Sequence, residues 1–145
     1  MASAGNEKKR GQGRWGGKKG LILELDPQSV SKVRALSEHP DLRGDHITLA
    51  FGVDEQSFSP DWIPGGYALG SLVPLRAIGM IRGERVQLLL IEVAGSTLRP
   101  WDGGKLHITV SKEYHARSLE SNALLSEQRP EAMDIELWAT LRWDE

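Results

Sequence analysis

The chain has 145 residues, of which 39% are hydrophobic and 26% are charged, and it contains no cysteine. This length fits one domain with its own core, and the lack of thiols excludes a disulfide framework and a thiolate zinc site. The longest apolar run, Leu88 to Ile91, is much too short to cross a bilayer, and the first residues lack the apolar stretch of a secretory signal. We therefore expect an intracellular, cytoplasmic protein without a membrane segment.

The net charge of −2 is divided unevenly along the chain. Residues 1–19 carry six basic side chains and one glutamate, whereas the remainder carries twelve basic and nineteen acidic side chains. The first segment is also rich in glycine and has no apolar periodicity. We therefore predict a flexible basic tail over 1–19 and a single domain over 20–145. Such a tail can hold RNA non-specifically or serve only as a solubilising arm, and the sequence leaves both interpretations open.

Strand and helix signals follow each other along the domain in the order β-α-β-β-β-β-α-β. Periodicity and turn residues predict strands over 21–25, 46–52, 72–82, 84–94, 105–111 and 135–143, and helices from 26 to about 38 and within 117–127. Asp26 and Pro27 supply the cap and the first turn of the first helix. Because the stretch VQLLLIEV within the strand over 84–94 is nearly all apolar, we expect this strand to lie centrally in the sheet and to be covered on both faces.

The tripeptide His-Ile-Thr occurs twice, as His46-Ile47-Thr48 and as His107-Ile108-Thr109, and an aliphatic residue follows each copy. A chain with four histidines and four threonines would contain about 0.1 His-x-Thr triplets by chance. A single histidine on a strand is more often structural than catalytic. Two matching copies on two predicted strands instead favour a paired role.

Side chains alternate between the two faces of a strand, which separates the polar from the apolar residues of each motif. Alternation assigns Ile47, Leu49 and Phe51 to one face of the first strand and His46, Thr48 and Ala50 to the other; in the second strand it assigns Leu106, Ile108 and Val110 to one face and His107, Thr109 and Ser111 to the other. The apolar faces can anchor both strands in a core. The opposite faces each present an imidazole and a hydroxyl on a rigid support.

If the two strands are neighbours, their polar faces hold two imidazoles and two hydroxyls, and this set suits attack on a phosphodiester. A neutral imidazole can take a proton from the nucleophile while an imidazolium gives one to the leaving oxygen, because a histidine pKa of about 6.5 allows both forms near neutrality. The threonine hydroxyls can donate to the non-bridging phosphate oxygens. This chemistry requires no metal or other cofactor.

The tetrapeptides HITL and HITV resemble the two signature motifs of the two-histidine phosphoesterases, and most closely those of the cyclic phosphodiesterase domain of fungal and plant tRNA ligases. In that domain, too, a polar stretch and a helix follow the second motif, here SKEYHARSLESNALL. The resemblance covers most of residues 20–145, although only the tetrapeptides are specific. It implies an α+β fold with two lobes, in which two antiparallel sheets form a central cleft and the helices lie outside.

The same resemblance implies a monomeric, metal-independent enzyme of RNA processing or repair that hydrolyses 2′,3′-cyclic phosphates at RNA ends or on nucleotides. By position, the catalytic residues would be His46, Thr48, His107 and Thr109. We favour His46 as the general acid and His107 as the general base, although the pseudo-symmetry of the motifs leaves the reverse assignment open.

Three further residues are candidates for binding the substrate. Trp101 and Tyr67 lie in predicted loops from which a ring can stack on a base, but such aromatic side chains pack equally well on a core. Lys112 follows the second motif and can attract phosphate, although exposed lysines usually make no specific contact. The remaining histidines, His39 before a proline and His115 in a polar stretch, are expected to be exposed to solvent.

Other chemistries lack their motifs, since the sequence has neither the HExxH of zinc peptidases nor the GxSxG of serine hydrolases. Two alternatives remain open. The same cleft can bind an RNA end or a nucleotide without turnover, or it can act on another substrate, such as a 2′-5′ linked oligonucleotide or an ADP-ribose cyclic phosphate.

Overall fold

The structure is a computed structural model that describes residues 15, 17–117 and 120–145. Its strands are β1 (Lys19–Leu25), β2 (Asp41–Leu42), β3 (His46–Val53), β4 (Leu72–Arg82), β5 (Val86–Glu92), β6 (His107–Lys112) and β7 (Glu131–Asp144), and its helices are α1 (Pro27–Arg34) and α2 (Glu120–Glu127). The predicted order of elements is confirmed, with the two-residue strand β2 added. The α+β class is also confirmed. No helix in the described part of the chain is long and apolar enough to cross a membrane.

All seven strands hydrogen-bond into one antiparallel sheet with the order β2-β6-β5-β4-β7-β1-β3. The strands do not separate into the two sheets that the resemblance implied, because β4 pairs with both β5 and β7 and so joins the two halves. The sheet curls, and β3 at one edge contacts β6 near the other edge. The two motif-bearing strands therefore meet although four strands, β5, β4, β7 and β1, lie between them in the sheet order.

The core lies along one face of the curled sheet and contains fully buried aliphatic side chains from six strands. Strand β5 shows how both faces are used: Leu89 and Ile91 belong to this main core, while Leu88 packs with Leu125 of α2 in a smaller cluster on the opposite face. The prediction of a central strand covered on both faces is confirmed. The segment between β3 and β4 contains three short 3₁₀ turns.

Helix α1 ends at Arg34, about four residues earlier than predicted. In the residues after Arg34, hydrogen bonds to two buried polar side chains of the sheet replace the hydrogen bonds of a continued helix. Nε2 of Gln87 donates to the Leu36 carbonyl, and Oε1 of Gln87 and Oγ of Ser111 accept from the backbone of Glu38. Periodicity could not reveal this end because the competing partners are 49 and 73 residues away in sequence.

Gly44 marks the point at which the chain passes from one edge of the sheet to the other. Strand β2 pairs with β6, whereas β3, which begins at residue 46, pairs with β1. Gly44 has a φ of +85°, and a Cβ at this position would lie 2.7 Å from Cγ1 of Val33. A side chain here is therefore opposed both by the backbone conformation and by the packing against α1.

Replacing Gly44 with alanine is expected to lower the free energy of unfolding by about 2–5 kcal/mol, since left-handed backbone costs about 1–2 and overpacking about 1–3. The matched control is Gly52→Ala, because Gly52 has a φ of +65° but no atom within 4 Å of an added Cβ. That control should lose only about 1–2 kcal/mol. Urea denaturation measures both values, and equal losses would show that the contact with Val33 contributes nothing.

Candidate active site

Each His-Ile-Thr motif opens a strand: His46 is the first residue of β3 and His107 is the first residue of β6. Ile47 and Ile108 are fully buried in the core, whereas the histidine and the threonine of each motif are half-buried. The predicted separation of polar and apolar residues is thus confirmed within both tripeptides. Each motif is held by its isoleucine and presents its imidazole and hydroxyl on the other face of the strand.

The pairing of β2 with β6 indicates how the two motifs meet. Asp41 pairs with Lys112 and Leu42 with Ser111, and the amide of Arg43 donates to the Val110 carbonyl. If this antiparallel register is continued along both segments, residue 46 comes to lie opposite residue 107. The two histidines thus open β3 and β6 at the place where the chain that follows β2 leaves its pairing with β6.

Electrostatics agree with this placement, because the His46 ring lies close enough to His107 for its positive charge to lower the pKa of the His107 imidazole. The contact between β3 and β6 is independent of that effect. The structure therefore brings the two predicted catalytic histidines to one region of the molecule.

A one-residue β-bulge follows the threonine in both motifs, at Leu49 in β3 and at Val110 in β6. On β1 the adjacent residues Leu21 and Ile22 pair with Ala50 and Thr48, and on β5 the adjacent residues Gln87 and Leu88 pair with Ser111 and Thr109. Each motif strand therefore has one residue more than its partner at this point. The two motifs therefore share a β-bulge at the same position as well as the His-Ile-Thr tripeptide.

The bulges correct the predicted assignment of faces beyond each threonine, because an extra residue reverses the alternation. Ala50 is fully buried in the core, and Phe51, expected there, is instead 45% exposed. The ring of Phe51 lies 5.8 Å below the guanidinium carbon of Arg99, whose charge also acts on His107. Phe51 is thus on the side of the histidines, and Ser111, expected beside His107, is buried with Gln87 instead.

His107 lies in surroundings that favour its neutral form. Burial lowers the pKa of the imidazole below 6.5, and the positive charges of Arg99 and His46 lower it further, while the hydrogen bond to Lys105 opposes the shift. Nδ1 of His107 is 2.9 Å from the Lys105 carbonyl oxygen. Since a carbonyl only accepts, Nδ1 carries the proton of the neutral ring, and Nε2 is then the nitrogen that can take up another.

His46 has a different neighbour at the same ring position. Its Nδ1 is 3.1 Å from Oδ1 of Asp45, so a carboxylate stands where His107 has a neutral carbonyl. On the adjacent strand Glu24 pairs with His46, and a hydrogen bond from Arg142 lowers the pKa of the Glu24 carboxyl. The partner of Nδ1 is thus a carboxylate in His46 and a neutral carbonyl in His107.

The two threonines differ in their contacts. Oγ1 of Thr109 lies 3.5 Å from Oγ of Ser121, a buried residue of α2. Within the described residues, the hydroxyl of Thr48 has no hydrogen-bond partner, and Thr48 pairs across the strands with the fully buried Ile22. Both hydroxyls are half-buried and belong to the same strand faces as the histidines.

Arg99 is a functional candidate that the sequence reading missed. It is 7% exposed, and its guanidinium donates twice to Asp102, with distances of 2.9 and 2.7 Å. This ion pair folds the loop between β5 and β6 and places a buried positive charge near His107. The only signal in the sequence was a pair of opposite charges three residues apart in a glycine-rich loop.

Of the predicted substrate-binding residues, only Trp101 lies in a cluster that reaches the histidine face. Its ring meets that of Phe51 edge-on at a centroid distance of 4.7 Å. Tyr67 packs against the core and borders a depression of about 260 Å³ that contains neither motif. The Lys112 ammonium is 3.1 Å from Asp41 and 3.0 Å from the Ala116 carbonyl, so its contacts tie β2 to β6.

The two other histidines differ from each other. His115 is exposed, as predicted. The prediction for His39 is wrong, because its side chain is only 11% exposed: Nε2 lies 3.3 Å from the Gly83 carbonyl and Nδ1 lies 3.9 Å from Glu113. These contacts link the chain after α1 to the β4–β5 hairpin.

Two further observations concern ligands. In the described ranges, no three histidine, aspartate or glutamate side chains are close enough together to hold a metal ion. A depression of about 400 Å³ lies between the β4–β5 turn and α2, and like the smaller one it contains no residue of either motif.

Comparison of the chain with protein-family models, with curated proteins and with solved structures found no match.

Proposed function

We propose that this protein is a phosphodiesterase that opens 2′,3′-cyclic phosphates, at RNA ends or on nucleotides, by general acid and base catalysis with two histidines. The observation that carries the proposal is the contact between β3 and β6, the two strands that begin with His46 and His107 of the His-x-Thr motifs. The proposal includes an arrangement of two lobes around a central cleft, as in the two-histidine phosphoesterases. The point of contact between β3 and β6 is where such a cleft would lie.

In the proposed reaction, water attacks the phosphorus in line with one ribose oxygen of the cyclic ester. A new P–O bond forms as the ring P–O bond breaks, and the product is a phosphomonoester beside a ribose hydroxyl. Nε2 of His107 takes the proton of the attacking water, and His46 gives a proton to the departing oxygen. Proton exchange with solvent then restores both rings.

The surroundings of the two rings support this assignment of roles. A base must be neutral at the working pH, and burial together with two nearby positive charges favours the neutral form of His107. An acid must hold a proton, and Asp45 supplies a carboxylate beside His46. Different environments for two equivalent groups are the usual way in which acid and base roles are separated.

The threonines and Arg99 would stabilise the charge that develops on the phosphate. Hydroxyl donors from Thr48 and Thr109 can bind the non-bridging oxygens, and preorganised donors are worth most where charge accumulates in the transition state. The Arg99 charge is fixed in place by Asp102 and needs no rearrangement.

The test is incubation of the protein, in excess EDTA, with a short RNA that ends in a 2′,3′-cyclic phosphate. We expect conversion to a terminal phosphomonoester, and analysis of the product identifies whether the phosphate remains on the 2′ or the 3′ oxygen. The double variant His46→Ala/His107→Ala is the control. Equal conversion by this variant, or no conversion by the native protein, would refute the proposal.

The same preparation distinguishes the alternatives. A module that binds without turnover would retain RNA affinity in the double variant and leave the cyclic phosphate intact. An enzyme for another linkage would leave it intact but cleave a 2′-5′ linked oligonucleotide or an ADP-ribose cyclic phosphate, and would lose that activity in the double variant.

A further inference from the structure

We infer that helix α2 positions the His-Ile-Thr motif of β6, with Ser121 holding the hydroxyl of Thr109 and Lys105 holding the imidazole of His107. The inference rests on the proposed function. It adds two positioning residues that prepare the base and one phosphate-binding hydroxyl without touching the substrate. Neither residue belongs to a motif, and together they connect one helix to both polar side chains of this motif.

Lys105 joins α2 to His107 through the two ends of the residue. Its ammonium donates to the Leu125 carbonyl at 3.0 Å, and its own carbonyl accepts from Nδ1 of His107 at 2.9 Å. Leu125 lies in the last turn of α2, where carbonyls lack partners within the helix and a positive charge is favourable. The contact with the helix therefore restrains the backbone carbonyl that fixes the proton of the His107 ring.

Ser121 makes the second connection, one helical turn before Leu125. It is 1% exposed, and its Oγ lies 3.5 Å from Oγ1 of Thr109. This distance is long for two hydroxyl oxygens, and contacts in catalytic sites commonly shorten when the substrate binds. Because a hydroxyl can donate and accept at once, a proton donated by Ser121 leaves the proton of Thr109 for a phosphate oxygen.

The spacing of the two connections matches the spacing of the motif. Ser121 and Leu125 are four residues apart, so they lie on the same side of α2 and about 6 Å apart along its axis. His107 and Thr109 are two residues apart on a strand, which is about 6.6 Å. A helix that runs antiparallel to β6 can therefore support the imidazole and the hydroxyl at the same time.

Apolar packing holds the helix beside the motif. Leu125 is buried with Leu88 of β5, and Leu88 pairs with Thr109 in the register between β5 and β6. Leu90, two residues further along β5, pairs with His107 and packs against the same cluster. Helix α2 therefore rests on the strand that directly adjoins the two polar residues of the motif.

The contacts of Ser121 and Lys105 lie within the domain. The predicted basic tail is a separate segment, and residues 1–14 of it lie outside the described residues. Lys19, at the predicted end of the tail, already begins β1, one residue before the predicted start of the domain. The positioning of the motif can thus be tested without changing the tail.

The first variant, Lys105→Met, removes the ammonium and keeps the backbone carbonyl. We expect the neutral His107 ring to change from the tautomer protonated at Nδ1 to a mixture of both tautomers, which the ¹⁵N chemical shifts of the ring distinguish. Lys32→Met is the matched control, because the Lys32 ammonium also donates to a backbone carbonyl, that of Glu136 at 3.3 Å. This control belongs to neither motif and should leave the tautomer unchanged.

The second variant, Ser121→Ala, removes the hydroxyl from the helix without adding bulk. We expect kcat for a cyclic-phosphate substrate to fall about two- to tenfold with KM unchanged, which is the effect of losing one neutral hydrogen bond that acts in the transition state. Three-bond NMR couplings should show a single χ1 rotamer of Thr109 in the native protein and an average over rotamers in the variant.

Ser126→Ala is the matched control for Ser121→Ala. Ser126 lies on the same helix and is exposed, and its hydroxyl bonds to the carbonyls of Asn122 and Ala123. Its replacement removes the same group from the same helix at a distance from the motif. Neither kcat nor the rotamer of Thr109 should change.

The outcomes separate the two proposals. If the native protein leaves cyclic phosphates intact, the proposed function fails, and the NMR measurements still decide whether α2 positions the motif. A variant that keeps the native NMR signature removes its residue from the inference. If both variants keep it, or if the controls cause the same changes, positioning by α2 is refuted while the phosphodiesterase proposal stands.

Discussion

Replacing His107 with alanine is expected to lower kcat for a cyclic-phosphate substrate about 10²- to 10⁴-fold, the range that general acid or base catalysis contributes. His46→Ala should cause a loss of the same order, because each ring moves one proton in the proposed displacement. The double variant should lose little more than either single variant, since groups that act as a unit are strongly non-additive.

The two single variants should differ in how their residual activity depends on pH. Removing the base abolishes the acid limb of the kcat/KM profile, and removing the acid abolishes the alkaline limb. We therefore expect the residual activity of His107→Ala to stay level at low pH and fall only on the alkaline side, and that of His46→Ala to stay level at high pH and fall only on the acid side. The reversed pattern would exchange the two roles, and full activity in either variant would remove that residue from the mechanism.

The native protein should lose activity on the acid side with a midpoint below pH 6.5, the value for an unperturbed histidine. The pKa of His107 is lowered by burial first, and then by the charges of Arg99 and His46, so the base stays neutral at a pH where an exposed histidine is protonated. Below that midpoint kcat/KM should fall about tenfold for each pH unit. A midpoint above pH 6.5 would contradict the described surroundings of His107.

The same shift has a consequence for stability. Because the folded pKa lies below the unfolded value, the unfolded chain binds more protons between these two values. The contribution of a neutral His107 is fully present above about pH 6.5 and declines as pH falls from there towards the folded pKa.

Proton NMR titration of the His107 ring provides a control that does not depend on activity. In His46→Ala the pKa of His107 should rise, because one of the positive charges that lower it is gone. His115→Ala removes an exposed histidine that follows β6 and belongs to neither motif, and it should leave the titration unchanged. If both variants leave the pKa where it is, the rings do not share a site.

Local information in the sequence was sufficient for much of the fold. Strand β4 has the predicted bounds, and the apolar run of β5 correctly indicated a strand covered on both faces. Both motifs lie on strands with their isoleucines buried, because alternation of side chains is a property of the extended backbone itself. Their repetition alone pointed to a paired site.

Long-range packing decided which side chains lie on the histidine face after each motif. The bulges at Leu49 and Val110 reverse the alternation after each motif, and so exchange Ala50 for Phe51 on the histidine face. A bulge depends on the register with a neighbouring strand, which a single strand's own sequence does not encode.

The sequence by itself identified the two His-x-Thr motifs as candidates for a paired site and the strands that hold them. The tertiary structure alone decided that the chain crosses from β6 to β1 at Gly44, that this crossing brings His46 and His107 together, and that Arg99 and Asp45 make their surroundings unequal. The physical reason is that electrostatic interactions depend on distance in space, and here they join residues about sixty positions apart, which no local pattern records.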